Sequence, residues 1–225
     1  MSAQIPLSEL YRQTRSSFTA FVSARANSWD ATVPATPGWT VHDVVAHVTG
    51  VAQDVACGEV PEAGPTPEWT AAHVARGRDI ATADLLSAWA QASPAVEALL
   101  DRQPIWPVVL DAGSHELDVR AALADTGARH SALVVVGSKV LLHGLRVPAP
   151  LVVRTEHAVV RSGPAVDAAP GGPPVTLTTT AFEAFRWRLG RRSRRQLAAM
   201  DWDGDPTPFL DRLCVFGPAE DDLVE

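Results

Sequence analysis

The segment DAGSHELD, at residues 111–118, is the feature that most constrains the fold of this chain. It places Asp111, His115 and Asp118 at spacings of four and three residues. On an α-helix, those spacings bring the three side chains onto one face. A carboxylate and an imidazole one turn apart can bind one metal ion, much as paired histidines at i and i+4 do. The segment therefore predicts a helix that presents part of a metal site to neighbouring helices.

A second helix, which begins in the segment WTVHDVVAHVTG, offers the third ligand. Thr40 is its predicted N-cap, and Asp43 follows three residues later, as in a capping box. His47 shares a face with three valines and should point inward. A lone inward histidine is more often a hydrogen-bonded core residue than a ligand, but a helix that carries Asp111 and His115 needs such a partner. The hypothesis is a metal held by His47, Asp111 and His115 inside a helical bundle.

The ligand set indicates the kind of site. Two imidazoles and one carboxylate fill three positions around a zinc-like ion and leave at least one open, which is typical of catalytic sites. Zinc is the expected metal, with iron or nickel as alternatives for the same ligands. Asp118 could hydrogen-bond a ligand imidazole, or it could be a capping or buried structural acid. Glu116 lies about 100° from the ligand face and is predicted to be a surface acid.

The remaining sequence predicts a helical bundle followed by a small α/β domain. Further helices are expected over residues 7–26, 83–100 and 129–142, with Pro94 kinking or splitting the second of these and a Pro/Gly-rich loop at 61–67. After Pro148, β-branched residues predict strands, and the later expectations are a helix at 181–189, a strand near 196–202 and a helix at 208–215. The predicted domains are residues 1–146 and 147–225, in an α+β fold.

Composition narrows the functional class. The chain has 26 acidic residues against 19 Lys plus Arg, a net charge of −7, which argues against a general nucleic-acid binder. Cys57 and Cys214 are far apart, so they are expected to be ordinary reduced thiols. The first residues lack the pattern of a secretory signal, and no run approaches the roughly 20 apolar residues of a membrane span. We expect a cytoplasmic protein without membrane partners.

Three stretches of the sequence carry a family resemblance. They are the run from Trp29 to Val48, which contains PGWTxxDxxxH, the run DAGSHELDVR from Asp111 to Arg120, and the ending LGRRSRRQL with WDGDP. The chain resembles the mycothiol-dependent maleylpyruvate isomerase family, within the DinB-like superfamily of four-helix metal-binding proteins. The resemblance implies a DinB-like four-helix bundle followed by a small α/β C-terminal domain.

The resemblance also implies the ligands and the chemistry. The family's metal histidines fall on His47 and His115, and its carboxylate falls on Asp111, where the family usually has Glu. Because Asp is one methylene shorter, either the helix approaches the metal more closely or the metal occupancy falls. Mycothiol is the implied cosubstrate, and its metal-bound thiolate would attack a small electrophile. Isomerisation and S-transfer are both compatible with this set of residues.

A C-terminal arginine that binds a substrate carboxylate is a further implication of the resemblance. Arg212, in the segment FLDRLCVF, is the first choice for this catalytic role, and Arg191 is the second. The other arginines between residues 186 and 195 are interpreted as a solvated face or a small anion-binding patch.

Two other functions stay open on the sequence alone. One is a non-catalytic binding or regulatory protein on the same scaffold, in which the aspartate marks a decayed metal site. The other is a metal-dependent hydrolase that activates water instead of a thiol. Metal content separates the first alternative from an enzyme, and thiol dependence of turnover separates the second.

Overall fold

The computed structural model describes residues 5–62, 64–164 and 174–225, which form two compact units, Met1–Thr126 and Gly127–Glu225. In the first unit, the described α-helices are α1 (Leu7–Ser23), α2 (Val41–Cys57), α3 (Pro67–Gly77), α4 (Thr82–Leu100) and α5 (Trp106–Ala122), with a 3-10 turn at Ala26–Ser28. In the second unit, the described elements are α6 (Ala132–His143), β1 (Leu151–Thr155), β2 (Ala158–Ser162), β3 (Val175–Thr178), α7 (Ala181–Arg188), α8 (Arg194–Ala198) and β4 (Asp201–Asp203). The expected α+β class is confirmed.

Local signals fix both ends of α2. The Thr40 hydroxyl accepts a hydrogen bond from the backbone N–H of Asp43, and the Asp43 carboxylate accepts one from the backbone N–H of Thr40. This reciprocal capping box satisfies two backbone donors that the first helical turn would otherwise leave without partners. Gly58 ends the helix in the left-handed conformation, with φ of 75°. The predicted start of this helix, with Thr40 as its N-cap, is confirmed.

Helices α1, α2, α4 and α5 form the predicted bundle. Phe18 of α1 meets Trp89 of α4 edge to face, with ring centroids 5.7 Å apart. The indole N–H of Trp89 donates a 2.8 Å hydrogen bond to the Tyr11 hydroxyl, so the polar atom of this buried ring has a partner. Pro94 does not split α4, which continues from Thr82 to Leu100. Helix α5 packs against both α1 and α2.

Helix α3 is the element that the sequence prediction missed. Residues 61–67 were expected to be a loop, and no helix was predicted between the second helix and residue 83. Thr66 caps α3 by accepting a hydrogen bond from the Trp69 backbone N–H, and Pro67 occupies the first turn. A Thr-Pro pair is a recognised helix start, so the signal was present in the sequence.

Glycines allow α3 to pack closely against α2. A Cβ atom added to Gly77 would lie 2.4 Å from the Cβ of Ala46, and one added to Gly50 would lie 2.6 Å from the His73 ring. Both distances are far below van der Waals contact, so these positions accept no larger side chain without movement of the neighbouring helix.

The second unit is built on a four-stranded sheet with strand order β2-β1-β3-β4. Strand β1 pairs antiparallel with β2 and parallel with β3, and β3 pairs antiparallel with β4. The core against this sheet includes Val153, Leu177, Trp187 and Phe209. The sequence predicts a turn-rich connection over residues 162–174, between β2 and β3, and part of it lies outside the described residues.

Two C-terminal predictions were wrong. The strand expected near 196–202 is instead the short helix α8, followed by β4, because Ser193 and Gln196 form a capping box that starts a helix. The helix expected at 208–215 is a series of turns, in which Phe209 and Leu213 are buried. These apolar residues are buried one by one on turns, but their spacing in the sequence resembles that of a helix. The spacing therefore led to a wrong prediction.

Helix α6 is grouped with the second unit, whereas the expected domain boundary at 146/147 placed it with the bundle. Leu142 at its end and Leu145 just after it belong to the core that includes Val153 and Leu177. The apolar face of α6 therefore packs into the core of the C-terminal unit.

Three of the six arginines between residues 186 and 195 do not lie on the solvated face that the sequence suggested. The side chains of Arg186, Arg188 and Arg192 are buried. Arg186 forms an ion pair with Glu225, and Arg192 forms ion pairs with Glu183 (2.7 Å) and Glu225 (2.8 Å). Arg188 instead donates to the backbone carbonyls at positions 141 and 213. Acidic and carbonyl partners from distant positions compensate these charges in the interior.

We expect Arg192→Leu to lower the free energy of unfolding by about 3 kcal/mol, because it leaves Glu183 without its buried guanidinium and leaves Glu225 with Arg186 alone. The estimate is at the low end for a buried pair because Glu183 is 33% exposed. The control is Arg194→Leu, which removes an ion pair with Asp211 whose two side chains are exposed, at a cost below about 1 kcal/mol. Urea denaturation measures the free energy of unfolding of both variants. Equal losses would contradict the expectation that the buried ion pairs contribute more than the exposed one.

Candidate metal centre

Three side chains predicted to be ligands meet in the first unit. His47 comes from α2, and Asp111 and His115 come from α5. Each offers one ligand atom, and the three atoms lie within 4.8 Å of one another. Asp111 Oδ1 is 3.5 Å from His47 Nε2 and 3.5 Å from His115 Nε2. The structure thus brings together the three residues that the spacing on two helices singled out.

These separations fit a metal site. In a tetrahedral zinc site with bonds of about 2.0–2.1 Å, neighbouring ligand atoms lie about 3.3 Å apart. The two 3.5 Å separations around Asp111 Oδ1 are close to that value. The aspartate therefore reaches both imidazoles in spite of its short side chain. Two nitrogens and one oxygen form a ligand set that suits zinc, iron(II) or nickel(II).

The position of α5 explains why its polar residues face inward. The helix is buried from Val108 to Val119 except at Asp111, because it packs against α1 on one side and α2 on another. Glu116 was predicted to lie at the surface, and this is wrong. Its carboxylate is buried and accepts hydrogen bonds from Ser17 Oγ (2.6 Å) and Arg120 Nε (2.9 Å). The side of α5 that faces away from the cluster is covered by α1.

The charges of the cluster stabilise one another. Burial would raise the pKa of Asp111, but the adjacent imidazoles of His47 and His115 outweigh burial and hold that pKa well below its usual range. Burial would lower the pKa of His115, but the carboxylates of Asp111 and Asp118 raise it to about 9. Without a cation, His115 and Asp111 form an ion pair at neutral pH. Metal binding would replace the proton on His115.

Asp118 supports His115 from the side away from the cluster. Its side chain is fully buried, and Oδ2 lies 3.1 Å from His115 Nδ1. An acid at this position attracts the proton of the imidazole to Nδ1, which leaves Nε2 free to face Asp111. This placement agrees with a supporting role for Asp118 and excludes a helix cap at the surface.

The sequence prediction missed His73, which contacts His47 of the cluster. Its Nδ1 lies 3.2 Å from the Nδ1 of His47, and its Nε2 lies 2.9 Å from Asp54 Oδ2. The residue was missed because α3 was missed, although the Thr66-Pro67 helix start would have placed it on a helix.

Solvent reaches the cluster on the side of Asp111. The Asp111 side chain is 32% exposed, whereas those of His47 and His115 are 5% and 7% exposed. Trp39 lies close to both imidazoles, with ring centroids 5.2 Å from His47 and 6.2 Å from His115. The cluster is therefore a nearly buried site that is accessible at Asp111 and has an aromatic ring close to its two imidazoles.

The structure places both predicted arginines in the second unit. Arg212 is exposed on a turn, and Arg191 is half-buried, with its guanidinium donating to the carbonyl of Leu189 at 2.8 Å. A cleft of about 410 Å³ in the same unit is lined by neither of them. The role of Arg212 in binding a substrate carboxylate stays a prediction.

Comparison with known proteins relates the N-terminal part of the chain to a family. The family model described as mycothiol maleylpyruvate isomerase N-terminal domain matches residues 11–135, more than half of the chain, and the match contains all three residues of the cluster. A search of curated proteins gave no match.

Solved structures give the same fold. The chain is similar to a crystal structure of the mycothiol-dependent maleylpyruvate isomerase, with 18% identity and a TM-score of 0.56. A crystal structure of a histidine-to-alanine mutant of that enzyme gives 16% identity and a TM-score of 0.54. In both cases the similarity covers 83% of this chain and 90% of the other.

We expect Asp118→Asn to lower the pKa of His115 from about 9 toward 6.5 in protein stripped of metal by a chelator, because the variant removes a buried negative charge. Since the folded-state pKa is raised, the stabilisation from His115 is complete below about pH 6.5 and is lost as the pH rises through 9. NMR titration of the imidazole measures the shift. The control, Glu116→Gln, changes a carboxylate that faces α1 and should leave this titration in place. An unchanged pKa in Asp118→Asn would refute the assigned role.

Proposed function

The chain belongs to the mycothiol maleylpyruvate isomerase N-terminal domain family, and from this premise we propose that it is a metal-dependent enzyme that uses mycothiol as cosubstrate. The proposed ligands are His47, Asp111 and His115, and the proposed metal is zinc, with iron and nickel as alternatives. The proposed reaction is isomerisation of a small electrophile or transfer of the thiol sulfur to it.

The observation that carries the proposal is the meeting of three ligand atoms within 4.8 Å, inside the part of the chain that the family model matches. Structural zinc sites are usually closed by four protein ligands, whereas catalytic sites keep one position for water or substrate. Among the described residues, the group has three members, and Asp111 gives it an accessible side. Both features favour catalysis over a purely structural role.

The chemistry follows from a cation held next to a thiol. A divalent metal at this site would lower the pKa of a coordinated thiol, so that thiolate is available at neutral pH. In an isomerisation, the sulfur adds to one carbon of an activated double bond, the resulting single bond rotates, and the C–S bond breaks as the double bond forms again. The thiol is returned unchanged. In S-transfer, a leaving group departs and the C–S bond remains.

The geometry also bears on the alternative of a decayed site. That alternative rested on the shorter aspartate at position 111. Asp111 Oδ1 lies 3.5 Å from the Nε2 atom of both histidines, which supports a working ligand set. A hydrolase that activates water would use the same residues, so only turnover measurements separate it from a thiol-dependent enzyme.

The proposed partners are small molecules, a low-molecular-weight thiol and an electrophile. The net charge of −7 gives no support for binding nucleic acid. None of the described helices is long and apolar enough to cross a membrane. Cys57 and Cys214 are both free thiols, and on that ground we infer a reducing, cytoplasmic location.

We expect about one equivalent of divalent metal per chain in purified protein, measured by inductively coupled plasma mass spectrometry. His47→Ala and His115→Ala should each lose most of this metal while circular dichroism shows the helices retained, because each removes one of three ligands. His143→Ala is the control, since that histidine is exposed on α6 and lies outside the cluster. Full metal content in both ligand variants would rule out the assigned site.

We expect turnover of an activated alkene or alkyl electrophile to require both the metal and mycothiol. The assay compares zinc-loaded protein with and without the thiol, and nuclear magnetic resonance of the product distinguishes an isomer from a thioether. Turnover that persists without thiol would identify a hydrolase. Absence of turnover under every condition, in protein that holds metal, would favour the binding protein.

A further inference from the structure

A chain of buried polar side chains leads away from His47 on the side opposite to Asp111. His73 and Asp54 are 1% and 5% exposed. The two Nδ1 atoms of His73 and His47 lie 3.2 Å apart, and His73 Nε2 lies 2.9 Å from Asp54 Oδ2. The chain thus runs from a carboxylate through two imidazoles to the Nε2 atom of His47, which faces Asp111 at 3.5 Å.

Asp54 is held as an acceptor at the far end of this chain. Trp69 Nε1 donates to its Oδ2 at 2.8 Å, and Arg76 Nη2 donates to its Oδ1 at 2.8 Å. An indole N–H and a guanidinium can only donate. Asp54 is therefore an ionised acceptor, and His73 Nε2 must carry the proton in their contact.

The direction of the remaining hydrogen bond follows from the same reasoning. The facing Nδ1 atoms of His73 and His47 share one proton, because two facing N–H groups would repel each other. An imidazole that binds a metal through Nε2 is neutral and carries its proton on Nδ1. His47 is then the donor, and His73 accepts with the lone pair on its Nδ1.

We propose that His73 and Asp54 are positioning residues that hold His47 in the orientation and tautomer in which Nε2 points to the metal. This inference rests on the proposed function, since it concerns a ligand of the proposed metal centre. The two ligand histidines are then supported by different routes. Asp118 contacts His115 directly, whereas Asp54 acts on His47 through an intervening imidazole.

The packing of α3 on α2 is what allows this relay. Gly50 lies on α2 one turn after His47, and a Cβ at that position would lie 2.6 Å from the His73 ring. The His73 ring also contacts the ring of Trp69, with centroids 4.2 Å apart. The imidazole of His73 therefore packs against both a glycine and an indole, in a position from which it reaches both His47 and Asp54.

The test is the affinity of metal-free protein for Zn²⁺, measured by competition with a chromophoric chelator. We expect His73→Leu and Asp54→Asn each to weaken Zn²⁺ binding by about 10–100-fold, the usual effect of losing such a supporting partner. His73→Gln should recover most of the affinity lost in His73→Leu, because its amide oxygen can accept the proton of His47 Nδ1. A role limited to filling space would not distinguish glutamine from leucine.

The matched control is His42→Gln. His42 is also on α2, and both of its ring nitrogens are hydrogen-bonded, to Thr82 Oγ1 at 2.8 Å and to the Gly77 carbonyl at 3.2 Å, but it does not belong to the relay. We expect its Zn²⁺ affinity to equal that of the wild type. Thermal unfolding of each metal-free variant verifies the fold, and Asp54→Asn, which is nearly isosteric, keeps the test available where His73→Leu unfolds.

The outcomes separate this inference from the proposed function. Wild-type protein that binds no Zn²⁺ overturns both. Wild-type protein that binds Zn²⁺ while folded His73→Leu and Asp54→Asn bind it equally well overturns the relay alone. Equal losses in His73→Gln and His73→Leu also overturn the relay, since they indicate a packing role. Absorption bands of bound Co²⁺ that change in Asp54→Asn but not in His42→Gln would support it independently.

Discussion

The contact between Asp111 and the imidazoles of His47 and His115 is the interaction on which the rest of the N-terminal unit depends. Ionised side chains inside a helical bundle are costly unless other charges or hydrogen bonds compensate them. Helix α5 is buried along most of its length, so its acid and histidine require partners from α2. The capping box at Thr40 fixes where α2 begins, and it thereby sets the height at which His47 meets α5.

Buried polar groups next to the cluster also stabilise its two histidines. Asp118 and Asp54 are buried acids that each support one histidine, the first directly and the second through His73. A site supported from both helices is preorganised, because its side chains do not need to be ordered when a ligand binds. The proposed thiol chemistry depends on this rigidity, since the cation would have to be held firmly while one side of the site stays accessible.

In the second unit, the sequence led to a wrong interpretation of a group of charged residues. A run with six arginines between residues 186 and 195 suggested a solvated face. Three of these arginines are buried, and their partners are carboxylates at 183 and 225 and carbonyls at 141 and 213. Composition and periodicity describe neighbours along the chain, whereas these partners are separated from the arginines by up to 47 residues.

The sequence by itself determined the helices that carry the cluster and the three residues that meet there. Capping signals and i, i+4 spacing are local properties of the backbone, so α2 and the Asp111 face of α5 could be predicted without knowledge of the packing. Only the tertiary structure decided that Glu116 is buried and that His73 stands behind His47. Those outcomes depend on which helix covers which face, and close packing through Gly50 sets that geometry between segments that are distant in sequence.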